Sequence, residues 1–200
     1  MIQALVPASA CVEMFSDAPE STMHPLEAAA IAGAVTERRR EFGTVRYCAR
    51  NALVRLGVAA GPILPDADGA PRWPAGVVGS MTHCAGYRAA AVARAGELRS
   101  VGIDAEPHAP LPGDVHDLVL RADDRAPAEP GLHWDRILFC AKEAVYKAWF
   151  PLTRRWLEFA DVAVSLDRDG TFRAAVGREH FGGRWAVGHG LVVAATAVRP

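Results

Sequence analysis

The chain has 200 residues, half of them apolar, which is enough to build a sizeable core in one domain or in two small lobes. A formal net charge of -1 with no long single-sign tail excludes a general nucleic-acid or membrane-surface protein, so any basic partner site has to be local. Cys11, Cys48, Cys84 and Cys140 form no C-x-x-C pair, which fits reduced thiols in the cytoplasm rather than a disulfide frame or zinc site.

The segment before Cys11 faintly resembles a lipoprotein signal, but it lacks a basic start and its apolar stretch is short and broken by Pro7. No apolar run approaches the length that spans a bilayer, and a soluble cytoplasmic protein is expected. From Pro25 to Gly57 an alanine-rich stretch with helical spacing predicts one long or two consecutive helices. Arg38 and Arg46 are eight apart, slightly over two turns, and so share a face. Their forks suit a phosphomonoester; a solvated basic face is the alternative.

Between Val58 and Gly76, Pro62, Pro65, Pro71 and Pro74 alternate with Gly61, Gly69 and Gly76, which predicts a loop. Short strands follow on either side of Gly86, and another pair is expected about a turn near Gly96. In "GSMTHC", Gly79 permits close backbone approach, Ser80 and Thr82 offer hydroxyls, and His83 can donate to a phosphate oxygen. Ordinary turn residues and a core histidine remain the alternative. A thiol nucleophile built from Cys84 and His83 is disfavoured, because neighbours on a strand point to opposite faces.

In "VGIDAEP", strand alternation sends Gly102, Asp104 and Glu106 to one face and Val101, Ile103 and Ala105 to the other. Two like charges so close call for a cation, and oxygen-only ligands favour magnesium; a solvated strand end carrying two acids is the alternative. Pro107 to Pro130 reads as loop with a short helix near Val115 to Leu120.

A mostly buried helix is expected from Trp134 to Phe150, stopped by Pro151. It holds the only two lysines among twenty-two basic residues, Lys142 and Lys147, on either side of Glu143. Glu143 and Lys147 stand four apart in the favourable order for an ion pair. Either this is a structural salt bridge or the charges are kept in an apolar helix for a polar ligand. Two hairpins, about Gly170 and near Gly190, complete the chain, so both halves read as helix followed by strands.

The strand Gly102-Ile103-Asp104-Ala105-Glu106 and the helix Phe139-x-x-Lys142-Glu143-x-x-x-Lys147 match G-[IV]-D-x-E and [FW]-x-x-K-E-x-x-x-K. With these motifs, and from about Arg38 to the C-terminus, the sequence resembles the 4'-phosphopantetheinyl transferases of the surfactin-synthetase-activating class, most closely the actinobacterial members. The resemblance implies an α/β (α+β) fold with a pseudo-twofold arrangement of two similar α/β lobes, residues 1–100 and 101–200, and the active site in the cleft between them. It further implies transfer of the phosphopantetheine group of coenzyme A to a serine of acyl or peptidyl carrier protein domains by a monomer.

Carried over residue by residue, Asp104, Glu106 and Glu143 would hold Mg2+, with Mn2+ an alternative. Lys142 and Lys147 would neutralise phosphate, and Arg38 and Arg46 would grip the 3'-phosphate. Ser80, Met81, Thr82 and His83 would line the nucleotide site, while Tyr146 and Trp156 would border the pantetheine channel. Asp104, Glu143 and Lys147 are the catalytic set, with Glu143 the candidate base, acting directly or through water. Where many relatives carry a G-K-P lysine, this chain has Gly69-Ala70-Pro71, and Arg72 or the helix arginines are expected to replace that contact. Arg154 and Arg155 suit the acidic surface of a carrier domain. The competing readings are a magnesium-dependent phosphohydrolase and a non-catalytic coenzyme A-binding protein.

Overall fold

Two antiparallel sheets organise the chain in the computed structural model, which describes residues 1–7, 9–127 and 130–200. The smaller has three strands in the order β1-β3-β2: β1 (Ala10–Met14), β2 (Val77–Cys84) and β3 (Tyr87–Arg94). The larger has five in the order β4-β8-β7-β6-β5: β4 (Ser100–Pro107), β5 (Val162–Leu166), β6 (Thr171–Val176), β7 (Glu179–Gly188) and β8 (Leu191–Val198). The helices are α1 (Pro25–Ala30), α2 (Thr36–Arg55), α3 (Gly113–Val119) and α4 (Trp134–Thr153).

Strand alternation divides the core. Tyr87, Ala89, Ala91 and Ala93 of β3 meet Val101, Ile103 and Ala105 of β4 and Leu191, Val193 and Ala195 of β8, with Ile2, Leu5 and Val6 against them. The intervening residues face helices: Ala90 and Val92 pack on Cys48, Ala49, Ala52 and Leu53 of α2, and Val192 and Ala194 pack with α4. Strands covered on both faces have no polar face to show, which is why β3 and β8 read as nearly unbroken apolar runs. Each half is thus helix on sheet, giving a mixed α/β fold with sheets of unequal size.

The structure differs from the sequence expectations in three places. The turn near Gly96 joins strands of different sheets, and the hairpin partner of β3 is β2, reached through Gly86 at φ 72°. β1 was not anticipated; it pairs along β3 from Ala10 opposite Val92 to Met14 opposite Arg88. Pro151 does not stop α4, which continues to Thr153. The missing N–H of Pro151 removes one helical bond in the last turn, but Arg154 N still donates to Phe150 O at 2.8 Å and Thr153 Oγ1 to Trp149 O at 3.1 Å. Arg154 then ends the helix in the left-handed conformation at φ 56°. Among the described residues no helix is long and apolar enough to cross a membrane.

Candidate active site

Gly102 sets the geometry of the site. A Cβ there would collide with Ala144 O and lie 2.7 Å from Ala148 N, so only glycine lets β4 approach α4 this closely. The contact residues on α4 are themselves small, and Glu143 and Lys147 stand immediately before Ala144 and Ala148. Close approach therefore brings both charged side chains beside Asp104, two residues along β4. Lys147 Nζ donates to Asp104 Oδ1 at 2.7 Å. Lys147 pairs not with Glu143 within the helix, one of the two alternatives the sequence left open, but with the buried strand carboxylate, whose need for a counter-charge outweighs an i,i+4 pair.

Strand β2 runs beside β4 and is joined to it by side chains. Ser80 Oγ accepts from Ile103 N and Thr82 Oγ1 accepts from Ala105 N, both at 3.1 Å. Thr82 Oγ1 also donates to Asp104 Oδ1 at 3.2 Å. These hydroxyls satisfy the edge of β4 and orient its carboxylate.

A cavity of about 970 Å³ opens over this junction. Arg38, Arg46, Ser80, Met81, Thr82, His83, Asp104, Glu106, Glu143, Tyr146, Lys147 and Trp156 all line it. Lys142 does not. Its buried ammonium points away, to Asp124 Oδ2 and Val119 O, each at 2.7 Å. The expectation that Lys142 neutralises phosphate is therefore corrected. Successive helical residues point about 100° apart, so the neighbour of Glu143 faces another wall. Asp124 also accepts from Val164 N at 2.8 Å and Arg121 N at 2.9 Å, making the pair a pin between α4, the preceding loop and β5.

Burial pushes the Glu143 carboxyl above the usual range, and Asp104 and Glu106 push the same way against Lys147. Burial and Asp104 likewise raise Glu106, opposed by Arg136 and Lys147. For Lys147, burial works against the ammonium, but Asp104 and Glu143 outweigh it and hold its pKa above the ordinary value. The site thus has more carboxylate than one lysine can neutralise, and Asp104 Oδ2 is buried with no hydrogen-bond partner.

An unpartnered buried oxygen among carboxylates of raised pKa fits a hard divalent cation. The three acids share the cavity without being gathered as a ready ligand cluster among the described residues. Glu106 Oε2 instead accepts from Arg136 Nη1 at 3.1 Å. Arg136 was missed from the sequence, although it stands seven residues before Glu143 on the same helical face.

At the opposite end, Arg38 Nη1 lies 2.8 Å from His83 Nε2. Arg46 is deeper, stacked 3.2 Å over the Phe42 ring with Nε donating to Ile63 O at 2.8 Å, and burial lowers its pKa to about 10. Arg72 lines the cavity beside Ala70, as do Trp73 and Arg99. Near the α4 end, Tyr146 stacks on Trp156 at 5.8 Å and Phe150 adjoins both. Trp156 is two-thirds exposed. Arg154 is engaged with Asp66 at 2.6 Å, tying the helix end to the loop between α2 and β2.

Residues 26–93 match the model of the 4'-phosphopantetheinyl transferase N-terminal domain, and residues 100–197 that of the 4'-phosphopantetheinyl transferase superfamily. The chain is similar to 4'-phosphopantetheinyl transferase Svp of Streptomyces mobaraensis, with 52% identity covering 99% of this chain and 89% of that protein. It is 48% identical to 4'-phosphopantetheinyl transferase PptT of Mycobacterium tuberculosis, over 98% of this chain and 96% of that one. For 4'-phosphopantetheinyl transferase Npt of Nocardia iowensis the identity is 43%, over 98% and 99%.

Proposed function

The chain belongs to the 4'-phosphopantetheinyl transferase superfamily, and from that premise we propose that its cavity binds coenzyme A and a divalent cation and passes the phosphopantetheine group to a serine of an acyl or peptidyl carrier protein. The observation that carries the reading is the convergence of Lys147, Glu143 and Asp104 on one wall of the cavity. Residues 1–100 would then form the lobe that grips the nucleotide, and 101–200 the lobe that carries the reacting groups.

In the reaction the serine oxygen bonds to the β-phosphorus of coenzyme A and the bridging P–O bond breaks, releasing adenosine 3',5'-bisphosphate. Asp104, Glu106 and Glu143 would hold Mg2+, or Mn2+ in its place, which when bound neutralises charge on the pyrophosphate. Lys147, kept cationic by Asp104, lies where it can meet the same phosphate oxygens as charge shifts to the leaving group. Glu143, raised toward neutrality by burial, takes the serine proton. Arg38 and Arg46 at the far end hold the 3'-phosphate, and the Tyr146, Phe150 and Trp156 rings flank the pantetheine arm.

Intact-protein mass spectrometry of an apo carrier protein, incubated with this enzyme, coenzyme A and magnesium, tests the proposal. A gain of one phosphopantetheine group on serine supports it. Hydrolysis of coenzyme A with an unmodified carrier would replace it with the phosphohydrolase reading.

A further inference from the structure

His83 stands between groups of opposite charge. Its Nε2 lies 2.8 Å from Arg38 Nη1, and a guanidinium has donors but no acceptor, so Nε2 presents a lone pair and the ring proton sits on Nδ1. Nδ1 faces Glu41 Oε2 at 3.6 Å. The same carboxylate lies 3.9 Å from Arg38 Nη1 and 3.6 Å from Arg88 Nη2, and Arg88 is anchored by Asp17 at 3.1 Å. The groups facing the imidazole are Arg38 and Glu41 from α2, Arg88 from β3 and Lys147 from α4. Burial and the three cations together outweigh Glu41 and hold the ring below its ordinary pKa.

A neutral ring in this tautomer turns a lone pair toward Arg38 at the cavity wall, where a phosphate oxygen would be repelled rather than bound. Resting on the phosphate-site reading above, we propose that Glu41 is a positioning residue that makes His83 a phosphate ligand only in its protonated form. When the 3'-phosphate enters, Arg38 turns from Nε2 to the anion, Nε2 takes a proton from solvent and donates to phosphate, and Glu41 balances the imidazolium at Nδ1. Glu41 does not line the cavity, so it acts through its neighbours, His83 at Nδ1 and Arg38 beside it. Binding of coenzyme A is then coupled to proton uptake, and affinity falls as pH rises through the pKa of the bound histidine.

Isothermal titration of the wild-type protein with adenosine 3',5'-bisphosphate at pH 8, in two buffers of different ionisation enthalpy, reads the uptake without any variant. At that pH the ligand's phosphates are already ionised, their second pKa being about 6. The expected result is uptake approaching one proton per ligand, rising as pH is lowered toward 7. Glu41→Gln should remove most of the uptake and raise KM for coenzyme A about tenfold with kcat within about twofold, and Glu41→Asp should restore much of both. Tight wild-type binding without proton exchange, or undiminished uptake in Glu41→Gln, overturns the role of Glu41. Equal KM for coenzyme A and 3'-dephospho-coenzyme A would overturn the phosphate site itself and the inference with it, so the two failures are distinct.

Discussion

Lys147 Nζ and Asp104 Oδ1 are 2.7 Å apart, joining a helix to a strand on the wall of the cavity. The contact satisfies one carboxylate oxygen and leaves the other, Oδ2, buried without a partner. A pair of this kind has a structural cost that a bound anion and cation can offset, which ties its retention to ligand chemistry. Replacing Lys147 by arginine keeps the charge but puts a forked guanidinium where a single ammonium fits. We expect turnover to fall by about a hundredfold with the thermal melt little changed. Unchanged kinetics would remove the lysine from the reaction.

Glu143→Gln separates catalysis from stability. Loss of the proposed base lowers kcat by about 10²- to 10⁴-fold. Stability moves the other way. The folded-state pKa of Glu143 is raised, so its ionised form opposes folding at neutral pH and the opposition fades as pH falls through that pKa. The metal-free variant should therefore melt higher than wild type at pH 7, with the gap closing on acidification. A variant that melts lower at pH 7 would show that the carboxylate is a stabilising partner instead.

Lys142 carries the opposite expectation. Its removal in Lys142→Met leaves Asp124 charged and buried, a loss of about 3–5 kcal/mol. Chemical denaturation would measure it, and a double-mutant cycle with Asp124→Asn should show strong non-additivity. Additive losses would mean that the two groups do not act as a pair.

Gly102→Ala tests the approach of β4 to α4. The added methyl meets helix backbone, which cannot rotate away as a side chain can, so a loss at or above the usual 1–3 kcal/mol for overpacking is expected, roughly. Because Glu143 and Lys147 ride on the displaced helix, kcat should fall along with the melting temperature. A stable, fully active variant would contradict the close-contact account.

Much of this architecture could be read from the letters because its causes are local. Glycine turns announced the hairpins, and alternation in "VGIDAEP" put Asp104 and Glu106 on the face away from Ile103. Direction around a helix axis was less legible. Lys142 and Glu143 are adjacent in the sequence, yet one points to Asp124 and the other into the cavity, and that choice depends on where α3 and β5 pack. β1 escaped notice because five residues beside a proline-broken start carry too little pattern; its pairing with β3 is a tertiary fact. Arg136 was hidden for the same reason, since its partner Glu106 lies thirty residues back in the chain.

The proposed transfer requires Asp104, Glu106 and Glu143 to act together on one divalent ion. Titrating the protein with Mn2+ in the presence of coenzyme A, followed by electron paramagnetic resonance, tests it directly when Asp104→Asn is measured beside wild type. About one bound ion per wild-type chain is expected, weakened at least tenfold in the variant, together with transfer that stops on chelation and returns with Mg2+ or Mn2+. Equal Mn2+ binding by both proteins, with transfer persisting in chelator, would contradict it.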